Sequence, residues 1–332
     1  MNSFEYAHPE TEVEALEFLN ESPHETMILA GGTDLLNLLK QEVVRPSRVV
    51  DIKQISSLQG FEELSDGLLI GAATTLAEIK DLPTMQYYPS LIQVIENIHS
   101  AAICSMGTLV GDLCHHPNCW YYRNGYGLLG REQGESLPEQ GRNLYHAVLG
   151  NEGPAKFVSA SRFAPALIAM GAQMRIIGPE ADQEEWIPLE SFYRIPKIES
   201  HGTNILLPGQ LVTHVWLPRF ASRVELASYE VLASEGLDWP TAAASVALEL
   251  KDDLVQAARI VLGQVAPLPW VAREAARMLT GKRLTDALAG DVAELALAGA
   301  TPLSENRYKI KQCQAAIKRA LISTLSFNKE AA

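Results

Sequence analysis

Three short segments hold the residue types whose spacing could do chemistry. The first, CHHPNCWYYR, brings Cys114, His115, His116 and Cys119 within six residues. Soft thiolates and imidazoles at that density are what zinc and iron–sulfur sites use. A closed four-ligand site needs a second ligand pair, however, and up to residue 156 the chain adds no cysteine and only His146. Packing is therefore the better reading, and no metal ligand is assigned. The second segment, MILAGGTDLL, runs an apolar strand into Gly31-Gly32 and then into an amphipathic stretch from Thr33 and Asp34. Such a turn can present consecutive backbone N–H groups to an anion, with the positive end of a helix dipole behind them, an arrangement suited to a pyrophosphate. It is equally a tight strand-to-helix turn, for which glycine is the default. No Gly-Lys-Ser/Thr follows, and the spacing is not GxGxxG. The third, SMGTLVGDLCHHP from Ser105 to Pro117, offers a second glycine loop that could approach an extended ligand from the other side. Trp120, Tyr121 and Tyr122 either stack on a ring or anchor the loop after them. No Ser-His-Asp or HExxH arrangement stands out, so no catalytic residue is assigned.

The elements that position these segments follow from periodicity. TEVEALEFLNE reads as a helix, MILA as a strand, DLLNLLKQ as a helix and SRVVDI as a strand, a small β-α-β unit complete by about residue 55. GLLIGAATTLAEI reads as a strand entering a helix and SLIQVIENI as a helix, with strands at AQMRIIG, EEWIPL and LVTHVWLP. RVELASYEVL, TAAASVALEL and LVQAARIVLGQV fit an antiparallel meander with a KDD turn, followed by helices at PWVAREAARML, DVAELALAGA and NRYKIKQCQAAIKRALIS. Residues 123–156 are rich in Gly, Glu and Gln, with few apolar anchors, and are either functional or loosely ordered. The fold class is thus α+β, with parts at 1–55, 56–221 (including loop 123–156) and 222–332.

Composition narrows the partners. Net charge is −13 over 332 residues with no cluster of Lys and Arg, which disfavours nucleic acid. No apolar run approaches the roughly 18–20 residues of a membrane span, and the first residues carry charges where a signal peptide needs an apolar core. The reading is a cytoplasmic protein with four cysteines as thiols.

Taken in order, AGGTDLL, MGTLVGDL, FAPALIAMGA, ARIVLGQVAPLPW and NRYKIKQ resemble the FAD-binding subunits of the molybdenum hydroxylase and xanthine dehydrogenase family over nearly the whole chain. CWYYRNG and RNLYHAVLG place it nearest the 4-hydroxybenzoyl-CoA reductase β-subunit and aldehyde oxidoreductase branch. The resemblance implies a two-lobed PCMH-type, vanillyl-alcohol-oxidase-like FAD module followed by a three-stranded antiparallel sheet with helices. It implies that Leu29, Ala30, Gly31, Gly32, Thr33, Asp34, Leu35 and Leu36 embrace the FAD pyrophosphate. Ser105, Thr108, Gly111 and Asp112 would add contacts to the phosphates and ribitol. Members of that branch often hold an extra [4Fe–4S] cluster. Here Cys119 stands at its first ligand, but no further cysteine occurs before Cys313 and Lys156 stands near the last position, so no cluster is expected.

Three departures bear on the flavin. Val110 stands where the family has glycine, Arg162 where it has an acidic residue, and a basic residue of the first C-terminal strand is replaced near Glu230. The implied function is electron transfer: two [2Fe–2S] centres of a small subunit pass electrons from a molybdopterin-binding large subunit through FAD to NAD⁺, O₂ or another acceptor. The alternatives are a flavin-free structural or assembly subunit of such a complex, and a stand-alone flavin oxidase.

Overall fold

The computed structural model describes residues 1–220, 223–234 and 238–330. The chain starts with β1 (Glu5–Ala7), α1 (Glu12–Glu21), β2 (Thr26–Leu29), α2 (Leu35–Lys40) and β3 (Arg48–Asp51). Strand β3 inserts between the other two, giving a parallel sheet in the order β1-β3-β2. Thr11 caps α1 by accepting from the Glu14 N–H, and Ala15, Leu16 and Leu19 bury one face at helical spacing. The sequence reading has one strand fewer, because β1 is three residues long and too short to show alternation.

Next come β4 (Phe61–Glu63), β5 (Gly67–Gly71), α3 (Leu76–Lys80), α4 (Pro89–Glu96), α5 (Ala101–Met106), α6 (Leu109–Leu113) and α7 (Trp120–Arg123). A small hairpin, β6 (Arg131–Glu132) and β7 (Glu135–Ser136), leads to α8 (Leu137–Gln140) and α9 (Ala164–Met170). β8 (Gln173–Ile177), β9 (Glu184–Pro188) and β10 (Leu211–Pro218) then complete an antiparallel sheet in the order β4-β5-β10-β8-β9. Every residue of α9 is buried, and Gly171 ends it at φ 76°, the left-handed position that closes a helix. Leu16 and Val50 from the first sheet region share one core with Ile70, Leu167 and Val215.

The boundary expected between residues 221 and 222 lies outside the described residues. Beyond it, β11 (Val224–Val231), β12 (Ala242–Lys251) and β13 (Leu254–Gly263) form the antiparallel meander, turning at Asp252 and Asp253 with φ of 52° and 60°. A fourth strand, β14 (Trp270–Val271), pairs with β13 where the sequence reading begins a helix. Pro267 and Pro269 hold the chain extended there, so α10 (Arg273–Leu279) starts only afterwards. α11 (Asp286–Ala296) and α12 (Tyr308–Glu330) follow. Alternation along the strands gives this sheet two buried faces: Ala247 and Val261 join the first core, while Val246, Leu248, Ile260 and Leu262 pack with Ile317 and Leu321 in a second. None of the described helices is long and apolar enough to cross a membrane.

The polar stretch 123–156 has a few apolar anchors, Leu129 and Ala155 against Phe157, and Val148 and Leu149 in the second core, and is otherwise held by side chains reaching for its backbone. Asn306 donates to the His146 and Ala147 carbonyls at 3.1 and 3.2 Å, and Asn151 to the Ala147 and Thr301 carbonyls at 2.9 Å each. Lys309, 1% exposed, donates to the Tyr145, His146 and Gln264 carbonyls at 3.0, 3.1 and 2.6 Å. Burial pushes its pKa down to about 7. These bonds replace the missing periodicity, which is why pattern reading found no element here. Lys309→Met leaves the Gln264 carbonyl buried without this donor and removes one bond each from the Tyr145 and His146 carbonyls, so a loss on the order of 1–3 kcal/mol is expected in urea unfolding; an unchanged midpoint rules this anchor out.

His146 adds a pH dependence. It is 3% exposed, its Nε2 lies 3.3 Å from Cys119 Sγ, and burial pushes its pKa from 6.5 down to about 4. Below pH 6.5 the unfolded chain takes up a proton that the folded chain refuses until about pH 4. Stability is therefore lost as pH falls through that window, by up to about 3 kcal/mol from this group. Urea midpoints measured between pH 7 and 4.5 should fall less steeply in His146→Gln than in wild type.

Candidate cofactor site

A cavity of about 570 Å³ lies where the end of β2 meets the junction of α5 and α6. Gly31 makes this junction possible: a Cβ built there would sit 1.8 Å from the Met106 carbonyl oxygen and 3.0 Å from Gly107 Cα. The two glycine segments found in the sequence are thus in backbone contact. Gly32, at φ 69°, takes the left-handed turn that follows, with Leu29 and Leu36 packed on either side of it.

Beyond that turn the backbone has no pairing partner. The N–H groups of Gly31, Gly32, Thr33, Asp34 and Leu35 donate to nothing among the described residues, the first intrahelical bond being Leu36 N–H to the Gly32 carbonyl at 3.2 Å. All five of these residues, with Ala30, line the cavity. Asp34 does not cap α2; its carboxylate accepts from Arg123 Nη1 at 2.5 Å and lies 3.5 Å from His115 Nδ1. Arg123 itself is fixed by donating to the Pro117 and His116 carbonyls. Asp34 therefore ties the first loop to α7 rather than presenting a bare anion to a ligand.

On the opposite wall Thr108 caps α6, its hydroxyl oxygen accepting from the Gly111 N–H at 3.0 Å. Asp112 accepts from the Ser161 hydroxyl at 2.5 Å and from the N–H groups of Arg162 and Phe163 at 3.2 and 3.1 Å. Burial raises its pKa against the pull of those donors. Thr108, Gly111 and Asp112 all line the cavity; Leu29, Leu36 and Ser105 do not, Ser105 being an exposed residue of α5 that donates to the Ala102 carbonyl. Val110 lines the cavity and is 6% exposed, packed into the first core.

Arg162 and Glu230, two of the departures from the family pattern, are bonded to each other. Arg162 Nε and Nη2 donate to the Glu230 carboxylate at 3.0 and 2.5 Å, and the side chains are 8% and 2% exposed. The cavity wall thus holds a buried ion pair, with Arg162 as the cation and Glu230 as the anion. Arg162 lines the cavity, as do Asn97, Arg123 and Trp239, none of which was assigned to the site from the sequence. Arg123 lies inside the quoted CWYYR segment and had a local signal; Trp239, edge-on to His115 at 4.9 Å between ring centroids, had none.

The Cys-His segment is divided. Cys114, His115 and His116 line this cavity, whereas Cys119 faces a second one of about 280 Å³ beside His146 and Lys309. Burial pushes the Cys114 thiol up to about 12 and the His116 imidazole down to about 4. Among the described residues no group of three or more His, Cys, Asp or Glu side chains is placed to share a metal ion. Trp120 and Tyr121 pack on Tyr145, His146 and Arg142, so these rings anchor the following loop, while Tyr122 stacks on His116.

Known proteins resemble this chain in sequence and in fold. The family described as FAD binding domain in molybdopterin dehydrogenase matches residues 2–220, and CO dehydrogenase flavoprotein C-terminal domain matches 227–324. The carbon monoxide dehydrogenase medium chain of Hydrogenophaga pseudoflava is 27% identical over 327 residues, covering 96% of each chain. The aldehyde oxidoreductase FAD-binding subunit PaoB of Escherichia coli is 27% identical over 333 residues, covering 98% of each. In fold, the chain superposes on carbon monoxide dehydrogenase from Hydrogenophaga pseudoflava with a TM-score of 0.77 at 24% identity, covering 98% of each chain. Quinoline 2-oxidoreductase from Pseudomonas putida 86 gives 0.75 at 24% identity over 97% of each. With both of its parts matched in order, the chain belongs to the FAD-binding medium subunits of the molybdenum hydroxylases, a family of oxidoreductase subunits.

Proposed function

We propose that this chain is the electron-transfer subunit of a heteromeric molybdopterin-dependent hydroxylase or dehydrogenase in the cytoplasm. It would take electrons from the [2Fe–2S] centres of a small subunit, which receive them from a molybdopterin-binding large subunit, and deliver them to NAD⁺, O₂ or another acceptor. The fold reading that goes with it is a PCMH-type module of two lobes, 1–55 and 56–221, with 222–332 as a separate C-terminal part. The observation that carries the proposal is the run of five unpaired N–H groups, Gly31 to Leu35, in the wall of a 570 Å³ cavity.

The chain's own residues suit an extended dinucleotide. Gly31 to Leu35 supply donors for a pyrophosphate at the end where β2 stops. Apolar side chains such as Ile28, Ile98, Val110 and Leu206 supply the walls for a ring system. Asp34 and Arg123 hold the donor loop in place, and Asp112 fixes the backbone that carries Arg162. Bound FAD supplies the one- and two-electron chemistry, so the protein is left to bind, orient and exclude water. No iron–sulfur cluster belongs to this chain, since Cys114 and Cys119 face different cavities and a cubane needs about four thiolates.

The purified chain is expected to be yellow with a flavin spectrum, to contain no stoichiometric iron or acid-labile sulfide, and to co-purify with a molybdenum chain and an iron–sulfur chain. A colourless protein that stays colourless after addition of FAD overturns the reading. Gly31→Ala must push the two loops apart at backbone, so FAD affinity should fall by roughly 100-fold or more, equivalent to about 3 kcal/mol. Isothermal titration of apoprotein measures it, and wild-type affinity in that variant removes the loop contact from the site.

A further inference from the structure

Arg162 is tied down on one side only. Its Nε and Nη2 form a fork on the Glu230 carboxylate, and Nη2 also donates to the Asn97 carbonyl at 3.2 Å. Asn97 closes the arrangement by donating from Nδ2 to Glu230 Oε2 at 3.1 Å. Every bond is thus made by Nε or Nη2 and none by Nη1. Nη1 donates to none of the described residues, and it is not among the polar atoms sealed without a partner in the interior. In a residue that lines the cavity, that nitrogen is the free edge of a fixed cation.

We propose that Arg162 Nη1 is a ligand donor, giving a hydrogen bond to an oxygen or nitrogen acceptor of the bound flavin dinucleotide, and that Glu230 and Asn97 are its positioning residues. This rests on the FAD reading of the cavity. A guanidinium presents several N–H groups in one rigid plane, so it can hold a carboxylate with one edge and a ligand with the other; a lysine ammonium has no such second edge. The side chain's freedom is already lost in the fork, so the ligand contact pays no further ordering entropy. Glu230 comes from β11, so the C-terminal sheet takes part in setting the cofactor cavity.

The test is FAD titration of the full-length apoprotein by quenching of flavin fluorescence. Arg162→Gln alone strands a buried carboxylate, so the double variant Arg162→Gln/Glu230→Gln, which removes both charges at similar volume, carries the measurement. Its Kd for FAD should rise by about 10- to 100-fold, the weight of one charge-assisted hydrogen bond, while its circular dichroism matches wild type. A Kd within about twofold of wild type overturns the proposal. Arg162→Lys keeps the charge without the second edge and should bind as weakly as the double variant; wild-type affinity in it overturns the role of Nη1. For Glu230 as a positioning residue, Glu230→Gln weakens binding and Glu230→Asp restores most of it, whereas equal loss in both overturns that role. Wild-type protein that takes up no FAD defeats the FAD reading itself; wild-type binding with an unaffected double variant defeats only the assignment of Arg162.

Discussion

The cavity exists because one side chain is missing. Gly31 lets the end of β2 lie against the end of α5, and a methyl group in its place would overlap a backbone carbonyl oxygen, which has no rotamer to escape into. Two consequences follow from that contact. The parallel sheet and the α5–α6 junction become opposite walls of one space. The chain also leaves its sheet just where five N–H groups lose their strand partners. Unpaired donors are tolerable only where an acceptor can reach them. The conformation that the glycine permits is therefore one that water or an anion must complete.

Electrostatics explains how a chain of net charge −13 can take an anionic ligand. Both guanidinium groups in the cavity wall are matched by carboxylates, Arg123 by Asp34 and Arg162 by Glu230. With those charges matched, the attraction comes mainly from oriented backbone dipoles, which act over a few ångströms and carry no net charge. A lysine cluster would draw any polyanion; a nest of N–H groups draws one that fits. The same two pairs join parts of the chain that are distant in sequence, the first loop to α7 and the segment before α9 to β11. Breaking either pair by removing one partner leaves a charge in a poorly solvated wall, so their arrangement and that of the cavity stand together.

What was legible in the sequence follows from what is local. The diglycine, the second glycine loop and a strand with alternation such as β10 announce themselves within a few residues. Arg162 and Glu230 did not. Each looked like a separate departure from the family pattern, because 68 positions separate them and nothing in either neighbourhood names the other. Strand β14 was hidden for a different reason. A two-residue strand has no period, and its identity comes from β13 lying beside it. The stretch around residue 145 is ordered by Lys309 and Asn306 from far along the chain, a long-range bond pattern with no signature in its own composition. Asp34 lines the cavity and also accepts from Arg123, 89 positions away, a pairing that no motif comparison displays.

The sequence displays no acid–base pair by its spacing, and the structure supplies a physical counterpart. A general acid or base works best with a pKa near the operating pH. Within the Cys-His segment, the two groups with large shifts are displaced in the unhelpful directions, His116 to about 4 and the Cys114 thiol to about 12. Each is thereby held neutral across the physiological range. Proton-transfer catalysis would be poorly served by this, but a bound redox group benefits from it. A neighbour that changes charge near neutral pH would shift the energy of adding an electron as it titrated. His116 and Cys114, held neutral by burial, add no such change of charge near neutral pH.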